Sequence, residues 1–319
     1  MELQRVQQLF DEAMQEIGKV VVGQVELVEG VLTALFCEGS VLIEGPPGLG
    51  KTLLVNVLSK VVSCDFKRVQ FTPDLMPSDL TGHSVYDMAN KQFTFNRGPL
   101  FTNLLLGDEI NRSPPKTQSA LLEVMQEQQV TVDGDTYQLD RPFLVIATQN
   151  PLEHEGTYPL PEAQVDRFLF KLLVDYPTVQ DELEIVQHYA HGRRPHKLSG
   201  FEIRPVMSAH EVLEIQDTVS KVIVEDKVTR YIVEIVDKTR TWHSVTVGAS
   251  PRASVALLVA ARTMAACRGR DFVTPDDVKE ICPWVLRHRI RLRPEAEIEG
   301  SNADQVIQHI LENVEVPRS

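Results

Sequence analysis

The stretch Gly45-Pro46-Pro47-Gly48-Leu49-Gly50-Lys51-Thr52 decides the fold, since it fits the pattern G-x-x-x-x-G-K-[ST]. The apolar run before it, residues 40–44, predicts a buried strand, and the run after it, residues 53–58, predicts the first turns of a helix. A glycine turn between a strand and a helix N-terminus aims several backbone N–H groups at one point, which binds anions without a special side chain. The sequence therefore predicts a site for a nucleoside triphosphate in this phosphate loop (residues 45–52).

Two side chains of the phosphate loop have expected partners on a bound nucleotide. Lys51 is placed to reach the β- and γ-phosphates and Thr52 to ligate Mg²⁺, and Leu53 completes the predicted contact set. The base needs an apolar slot nearby as well. Val22 and Gly23 are candidates for that slot, because backbone groups beside a glycine can reach the edge of a purine. A plain connection between two helices explains the same residues equally well.

A second apolar run, residues 104–107, ends in two adjacent carboxylates. At the carboxyl end of a strand in an open α/β sheet, both can border the ligand crevice. Asp108 is then placed to hold Mg²⁺ through water and Glu109 to polarise the attacking water, because one acid must stay on the metal while the other takes a proton. A solvated strand-to-loop pair would explain this run alone, but the phosphate loop upstream favours the catalytic interpretation.

A third apolar run, residues 143–148, leads to Asn150 at an equivalent position. Its amide can hydrogen-bond the γ-phosphate or orient the water, while a capping role before Pro151 is the simpler alternative. Farther along, Arg167 is either a structural partner of Asp166 or another carboxylate, or an arginine finger that acts in the site of a neighbouring subunit. The spacing does not choose between these roles.

The composition of the 319 residues is that of a globular protein, with 43% hydrophobic and 24% charged residues. The formal net charge of -13 argues against non-specific binding to nucleic acid or anionic membranes, both of which reward a basic surface. We expect a cytoplasmic protein without a signal peptide or membrane insertion, because the N-terminus predicts an amphipathic helix and no apolar run is long enough. The four cysteines lack C-x-x-C spacing, so we expect reduced and mostly buried thiols.

Two hairpins are expected as insertions, near residues 79–97 and 129–139. The tip of the second carries Asp133 and Asp135, which would repel a phosphate backbone and so weigh against a helicase. The stretch of residues 188–200 contains three histidines but no accompanying carboxylate or cysteine at ligand spacing. It therefore predicts a solvated hinge rather than a metal site.

Beyond residue 205 the apolar periodicity is helical. Ser208 and Thr274 are placed to begin helices, and Ser250-Pro251-Arg252 combines an N-cap, an N1 proline and an arginine in the first turn. The helix dipole opposes a cation at that position, so the arginine suggests a phosphate partner. Basic and apolar residues alternate over residues 287–293, which predicts a solvated face or a subunit contact.

With these sites in order, the chain closely resembles the MoxR family of AAA+ ATPases. The motifs that carry the resemblance are Val21-Val22-Gly23-Gln24, the phosphate loop, residues 70–79, Gly98-Pro99-Leu100-Phe101, residues 107–112 with 114–118, residues 147–151, residues 162–168 and Gly248-Ala249-Ser250-Pro251-Arg252-Ala253. A phosphate loop alone is common, whereas this combination is specific. Ser113, where a small apolar residue is expected, departs from the pattern without affecting a catalytic role.

The resemblance implies roles for individual side chains. Asp108 and Glu109 look like the Walker B acids, and Asn150 looks like the sensor-1 residue. Arg167 looks like the arginine finger and Arg252 like the sensor-2 arginine. The resemblance also places Val22 and Gly23 near the adenine of ATP or ADP.

We therefore expect a doubly wound α/β core of the P-loop AAA+ type over residues 1–190, with helices on both faces of a parallel sheet. A linker at residues 191–204 and a small all-α lid at residues 205–319 should follow. The expected function is Mg²⁺-dependent ATP hydrolysis that drives chaperone-like remodelling or maturation of partner proteins. The resemblance further implies a homo-oligomeric ring, usually hexameric, and partners with a von Willebrand factor A domain. A DNA- or RNA-stimulated motor and a nucleotide-gated assembly scaffold are the alternatives.

Overall fold

The computed structural model describes residues 1–88, 90–151 and 156–317, and a sheet-containing core comes first in the chain. Two helices precede the first strand of the core, and strands and helices then alternate. In chain order the elements are α1 Leu3–Gly18, α2 Val25–Phe36, β1 Val41–Glu44, α3 Lys51–Val61, β2 Phe66–Gln70, α4 Pro77–Thr81, β3 Gly82–Asp87, β4 Gln92–Arg97, β5 Leu104–Asp108, a 3₁₀ turn at Ile110–Arg112, α5 Pro115–Glu127, β6 Gln129–Val132, β7 Asp135–Gln138, β8 Leu144–Gln149, α6 Glu162–Val165, β9 Phe170–Leu173 and α7 Val179–Ala190.

Five parallel strands form the central sheet in the order β2-β5-β8-β1-β9. The chain forms β1 inside the sheet, crosses to the edge strand β2, and returns through β5 and β8. The register pairs Glu44 with Gln149 and Gly107 with Ala147. The strands that lead to the phosphate loop, the two acids and Asn150 therefore end at the same edge of the sheet, where ligands bind in open α/β folds.

Alternate residues of the central strands face two separate hydrophobic cores, as a sheet covered on both sides requires. Val41 and Ile43 of β1 pack in a core with residues of α1, α2 and α3. Leu42, between them, packs on the other face with residues of α4 and α5. The predicted parallel sheet with helices on both faces is confirmed.

Both predicted hairpins are present, since β3 pairs with β4 and β6 pairs with β7 in antiparallel register. The second hairpin turns at Asp133 and Gly134, whose φ angles of 54° and 91° suit a tight two-residue turn. The rings of Phe95 and Tyr137 stack with their centroids 4.4 Å apart and join the two hairpins. Ala89, in the predicted turn of the first hairpin, lies outside the described residues.

The helical region (residues 195–317) follows the core and contains, besides the predicted helices, a two-stranded antiparallel ribbon. After a 3₁₀ turn at Pro195–Lys197 its elements are α8 Ala209–Ser220, α9 Asp226–Thr241, β10 Val245–Val247, α10 Pro251–Cys267, α11 Pro275–Leu286, β11 Arg291–Leu292, α12 Pro294–Ile298 and α13 Ala303–Asn313. Ser208 and Thr274 cap α8 and α11 as predicted, each within a capping box. Ser250 occupies the N-cap position of α10, but its hydroxyl donates to Asp166 Oδ2 at 3.2 Å.

One hydrophobic core extends from the sheet into the helical region. α1 and α2 belong to the same hydrophobic cluster as residues of the central sheet. Both helices also pack against α10, and α2 contacts α8. Within the described residues, no helix is both long enough and apolar enough to cross a membrane. The four cysteines are free thiols, of which three are buried, as predicted. Burial raises the pKa of the fourth, the half-buried Cys37, to about 12, so that this thiol stays protonated near neutral pH.

The prediction of a solvated basic face at residues 287–293 is wrong for two of its arginines. The side chains of Arg287 and Arg289 are only 7% and 4% exposed. Arg289 Nε donates to Asp166 Oδ1 at 2.7 Å, and Arg289 Nη2 donates to the carbonyl oxygen of Phe168 at 2.7 Å. Arg287 donates to Asp304 of α13 and to the carbonyl oxygen of Lys171 in β9, so both arginines meet oxygen atoms of the protein instead of solvent.

Replacing Arg289 with alanine should lower the free energy of unfolding by about 3 kcal/mol, because it removes a buried cation that neutralises Asp166 and satisfies a core carbonyl group. Arg291→Ala is the matched control. Arg291 also reaches from the helical region to the core, to Glu162 at 3.1 Å, but the two side chains are 67% and 66% exposed. Its loss should cost about 0.5 kcal/mol. Urea unfolding of both variants measures the difference, and equal midpoints would show that the Arg289 contact does not hold the two regions together.

Candidate functional site

A cleft of about 560 Å³ opens at the carboxyl edge of the sheet, where the phosphate loop meets the ends of β5 and β8. The predicted site residues that line it are Val22, Gly45, Pro47, Gly48, Leu49, Gly50, Lys51, Thr52, Leu53, Asp108, Glu109 and Asn150. Four other predicted residues, all within the described ranges, lie outside its lining: Gly23, Pro46, Arg167 and Arg252. The predicted residues that line the cleft thus come from four separate stretches of the chain.

The phosphate loop bends through two glycines in the left-handed region, with φ of 82° at Gly48 and 79° at Gly50. Residues with a side chain rarely adopt these angles, whereas glycine does so without steric cost. α3 begins directly after the second glycine, and its first residues, Lys51 and Thr52, line the cleft. A helix N-terminus therefore borders the loop, and its free N–H groups and dipole favour an anion there.

Lys51 lies across the phosphate loop, where its Nζ donates to the carbonyl oxygen of Gly45 at 2.6 Å. Burial lowers the pKa of Lys51, and the carboxylates of Asp108, Glu109 and Glu44 oppose that shift. These carboxylates favour the protonated amine, which is the form that binds phosphate. The ammonium group is thus held over the loop in a partly desolvated position, where charge-assisted hydrogen bonds are strong.

The hydroxyl group of Thr148 joins the two predicted acids. It donates to Asp108 Oδ1 at 2.6 Å and accepts from the backbone N–H of Glu109 at 2.9 Å. Glu109 has a φ of 57°, a left-handed conformation that costs a residue with a side chain about 1–3 kcal/mol. The Thr148 contact stabilises this bend, and the bend allows both acidic side chains to line the cleft.

The acids are also held from the edge strand β2 and from the turn that follows β5. Glu109 Oε2 accepts from Gln70 Nε2 at 2.7 Å and from Arg112 Nη1 at 3.1 Å. Asp108 Oδ2 accepts two hydrogen bonds from Arg68, from Nε at 3.2 Å and from Nη2 at 2.7 Å. Arg68 and Gln70 are two residues apart on one strand, so both face the cleft. Neither was predicted as a site residue; the polar alternation at the end of β2 is the signal that could have found them.

The far end of the cleft is apolar and suits a base rather than a phosphate. Residues 20–22 form part of its wall, and α7 contributes Ile185 and His188. The prediction of a solvated hinge at residues 188–200 is wrong for His188, which is 8% exposed and packs its ring edge against Phe201. α7 continues to residue 190, so the first residue of the polar stretch falls on an inward-facing turn of a helix.

The two predicted arginines contact other parts of the core. Arg167 Nη1 donates to the carbonyl oxygen of Leu122, on α5, at 3.2 Å. Arg252 is 62% exposed, and its Nη1 lies 3.7 Å from Asp166 Oδ2. Asp166 therefore receives three groups of the helical region, from Ser250, Arg252 and Arg289.

The oxygen atoms that line the cleft suit Mg²⁺ bound together with a nucleotide. Mg²⁺ prefers oxygen ligands and usually takes only one or two from the protein, while phosphates and water supply the rest. The Thr52 hydroxyl and the Asp108 carboxylate are of this kind, and both border the phosphate loop. In the part of the chain that the structure describes, no group of three or more His, Cys, Asp or Glu side chains is placed to hold a metal.

Two regions of the chain match known families. Residues 40–170 match the family described as ATPase family associated with various cellular activities (AAA), and residues 237–310 match the AAA lid domain. The first match contains the phosphate loop, the two acids and Asn150, and the second lies in the helical region. The predicted fold class, an AAA+ core followed by a helical lid, is confirmed.

The similarity to individual relatives extends over almost the whole chain. The uncharacterised protein YeaC of Bacillus subtilis is 48% identical over 97% of this chain and 95% of its own length. Chaperone MoxR1 of Mycobacterium tuberculosis is 44% identical over 97% of this chain and 82% of its own length. The crystal structure of a candidate ATPase from Cytophaga hutchinsonii is similar with a TM-score of 0.90 and 43% identity, covering 99% of this chain and 97% of that one. The chain belongs to the MoxR family of AAA+ ATPases.

Proposed function

We propose that this chain hydrolyses ATP with Mg²⁺ and uses the cycle to remodel or mature partner proteins. The observation that carries the proposal is the meeting of the phosphate loop, Asp108, Glu109 and Asn150 in one cleft. A phosphate cradle, a carboxylate for the metal, a base and a polar group near the γ-phosphate are the parts that phosphoryl transfer to water requires.

In the proposed reaction, the N–H groups of the phosphate loop and Lys51 hold the β- and γ-phosphates, and Thr52 and Asp108 hold Mg²⁺. The metal, when bound, neutralises charge on the phosphates. Glu109 accepts the proton of the attacking water, which requires its carboxylate to exchange the contacts to Gln70 and Arg112 for a contact to that water. Asn150 hydrogen-bonds the γ-phosphate or orients the water, and the apolar end of the cleft packs the adenine.

We further infer that a neighbouring copy of the chain completes each site within a homo-oligomeric ring, hexameric by expectation. An additional cation stabilises the charge of the transition state in phosphoryl transfer. Arg167 contacts α5 rather than the cleft of its own chain, so it is the cation that we assign to the next copy. Arg252, which is largely exposed beside Asp166, is the second arginine of this kind and acts either in its own chain or across the interface.

Charge and surface character favour protein clients over a nucleic-acid motor. The tip of the β6–β7 hairpin carries Asp133 and Asp135, both exposed, in a chain with a net charge of -13. These charges would repel a phosphate backbone. The β3–β4 hairpin exposes the rings of Tyr86 and Phe93, a surface of the kind that protein segments bind. The relative MoxR1 is named a chaperone, and proteins with a von Willebrand factor A domain are the partner class that we propose.

Lys51→Ala should weaken the binding of ADP with Mg²⁺ by at least roughly 100-fold, because it removes the cation over the phosphate loop. Lys60→Ala is the matched control, since Lys60 is exposed at the opposite end of the same helix. It should bind ADP as the unsubstituted protein does. Titration calorimetry measures both affinities, and tight binding by Lys51→Ala would contradict the phosphate site.

Glu109→Gln should bind ATP as tightly as the unsubstituted protein but hydrolyse it at least about 100-fold more slowly, because an amide cannot take the proton from water. Glu127→Gln, which changes the same charge at the exposed end of α5, should leave both quantities unchanged. ATP affinity and phosphate release are the two measurements. Full turnover by Glu109→Gln would contradict the assignment of Glu109 as the base. If ring formation, partner binding and function in the cell all survive this substitution, a nucleotide-gated scaffold is the better description.

Mixing two inactive variants tests whether Arg167 acts across an interface. Arg167→Ala subunits retain Glu109, and Glu109→Gln subunits retain Arg167, so mixed rings contain some sites with both groups. Phosphate release should then rise above the rate of either variant alone, because an arginine finger contributes about 10³–10⁵ in rate. The absence of rescue in rings shown to be mixed would leave Arg167 with a structural role only.

A further inference from the structure

Arg68 contacts the carboxylate to which the proposed function assigns the metal. Its Nε and Nη2 both donate to Asp108 Oδ2, and the other oxygen, Oδ1, accepts from Thr148. Both oxygens of the carboxylate are therefore engaged by donors of the chain itself. A guanidinium and a divalent cation are attracted by the same charge, so Arg68 and Mg²⁺ compete for Asp108.

A second contact fixes the orientation of the arginine. Arg68 Nη2 also donates to Gln70 Oε1 at 2.9 Å, and the amide nitrogen of Gln70 donates to Glu109. The guanidinium thus lies between the two acids, directly on Asp108 and through Gln70 on Glu109. This arrangement is more than a random surface ion pair, because three hydrogen bonds set the plane of the fork.

Exposure shows which partner is free to move. The side chain of Arg68 is 46% exposed, whereas that of Asp108 is 16% exposed and is tied to Thr148. The arginine is the more exposed partner, and its long stem can carry the guanidinium towards solvent. Asp108 would stay where it is and offer its released oxygen to another cation.

We propose that Arg68 is the resident countercation of Asp108, and that Mg²⁺ displaces it when the metal binds with nucleotide. The proposal rests on the proposed function, which assigns the metal to Asp108, and it adds a residue that sets the affinity for that metal. Arg68 neutralises the acid when no metal is bound and lowers the apparent affinity for the metal, since its contact must be broken first. A partly exposed pair of this kind contributes about 1 kcal/mol, which corresponds to a roughly fivefold change in affinity.

Binding of Mn²⁺ to the protein–ADP complex tests this exchange of Arg68 for a metal on Asp108 without any measurement of activity. Mn²⁺ takes the same oxygen ligands as Mg²⁺, and electron paramagnetic resonance counts the free ion. The full-length chain is kept in excess over ADP, so that all nucleotide is protein-bound. Arg68→Gln should bind Mn²⁺ roughly fivefold more tightly than the unsubstituted protein. Arg68→Lys keeps the charge but lacks the planar fork, so its affinity should lie between the two.

Lys67→Gln is the matched control for the loss of one positive charge. Lys67 precedes Arg68 on β2 and therefore points to the opposite face of the sheet, where its Nζ lies 3.5 Å from the carbonyl oxygen of Gly98. The Lys67→Gln variant should bind Mn²⁺ with the same affinity as the unsubstituted protein. An Arg68→Gln affinity that is unchanged, or weaker, would overturn the exchange while leaving the metal site intact. If the unsubstituted protein–ADP complex binds no Mn²⁺, the proposed function itself fails, and the exchange fails with it.

Discussion

The parallel register of β5, β8 and β1 is the constraint on which the cleft depends. Gly107 pairs with Ala147 and Ile43 pairs with Thr148, so the strands that lead to the acids, the Thr148 hydroxyl and the phosphate loop end at one level. A slip of one residue would turn the side chains of a strand to its other face. Alternate apolar residues of these strands fill two cores, one on each face, and this packing resists such a slip. The apolar interior thus positions the polar groups of the site.

Asp166 couples the helical region to the core. Ser250, Arg252 and Arg289 all reach this carboxylate from the helical region. Arg167 follows it directly in the chain and contacts α5. Under the proposed function, a shift of the helical region would move Asp166 and, through one peptide unit, the arginine assigned to the next site.

Residues that follow an apolar run directly were predictable from the sequence, and contacts between distant segments were not. The phosphate loop and Asn150 were located because each comes after a strand whose periodicity is visible. Arg68 and Gln70 were missed because the polar alternation places both on one face of β2 but does not reveal that β2 lies beside β5 in the sheet. The burial of Arg289 was missed because alternating basic and apolar residues look alike on a solvated face and on a surface that covers core carbonyl groups. His188 was missed because it begins a polar stretch that is typical of a linker, whereas α7 continues to residue 190.

The pairing of charges in and beside the cleft bears on how it can be filled. Three carboxylates each have a cation from the same chain: Glu44 with Lys171, Asp108 with Arg68, and Glu109 with Arg112. These pairs offset the desolvation that partly buried carboxylates would otherwise suffer. Under the proposed function, the pair of Asp108 and Arg68 opposes the entry of a metal alone, because the metal meets an acid that already has a cation. Under the same proposal, the phosphates of a bound nucleotide supply further ligands to Mg²⁺, so the metal replaces Arg68 more readily together with nucleotide than alone.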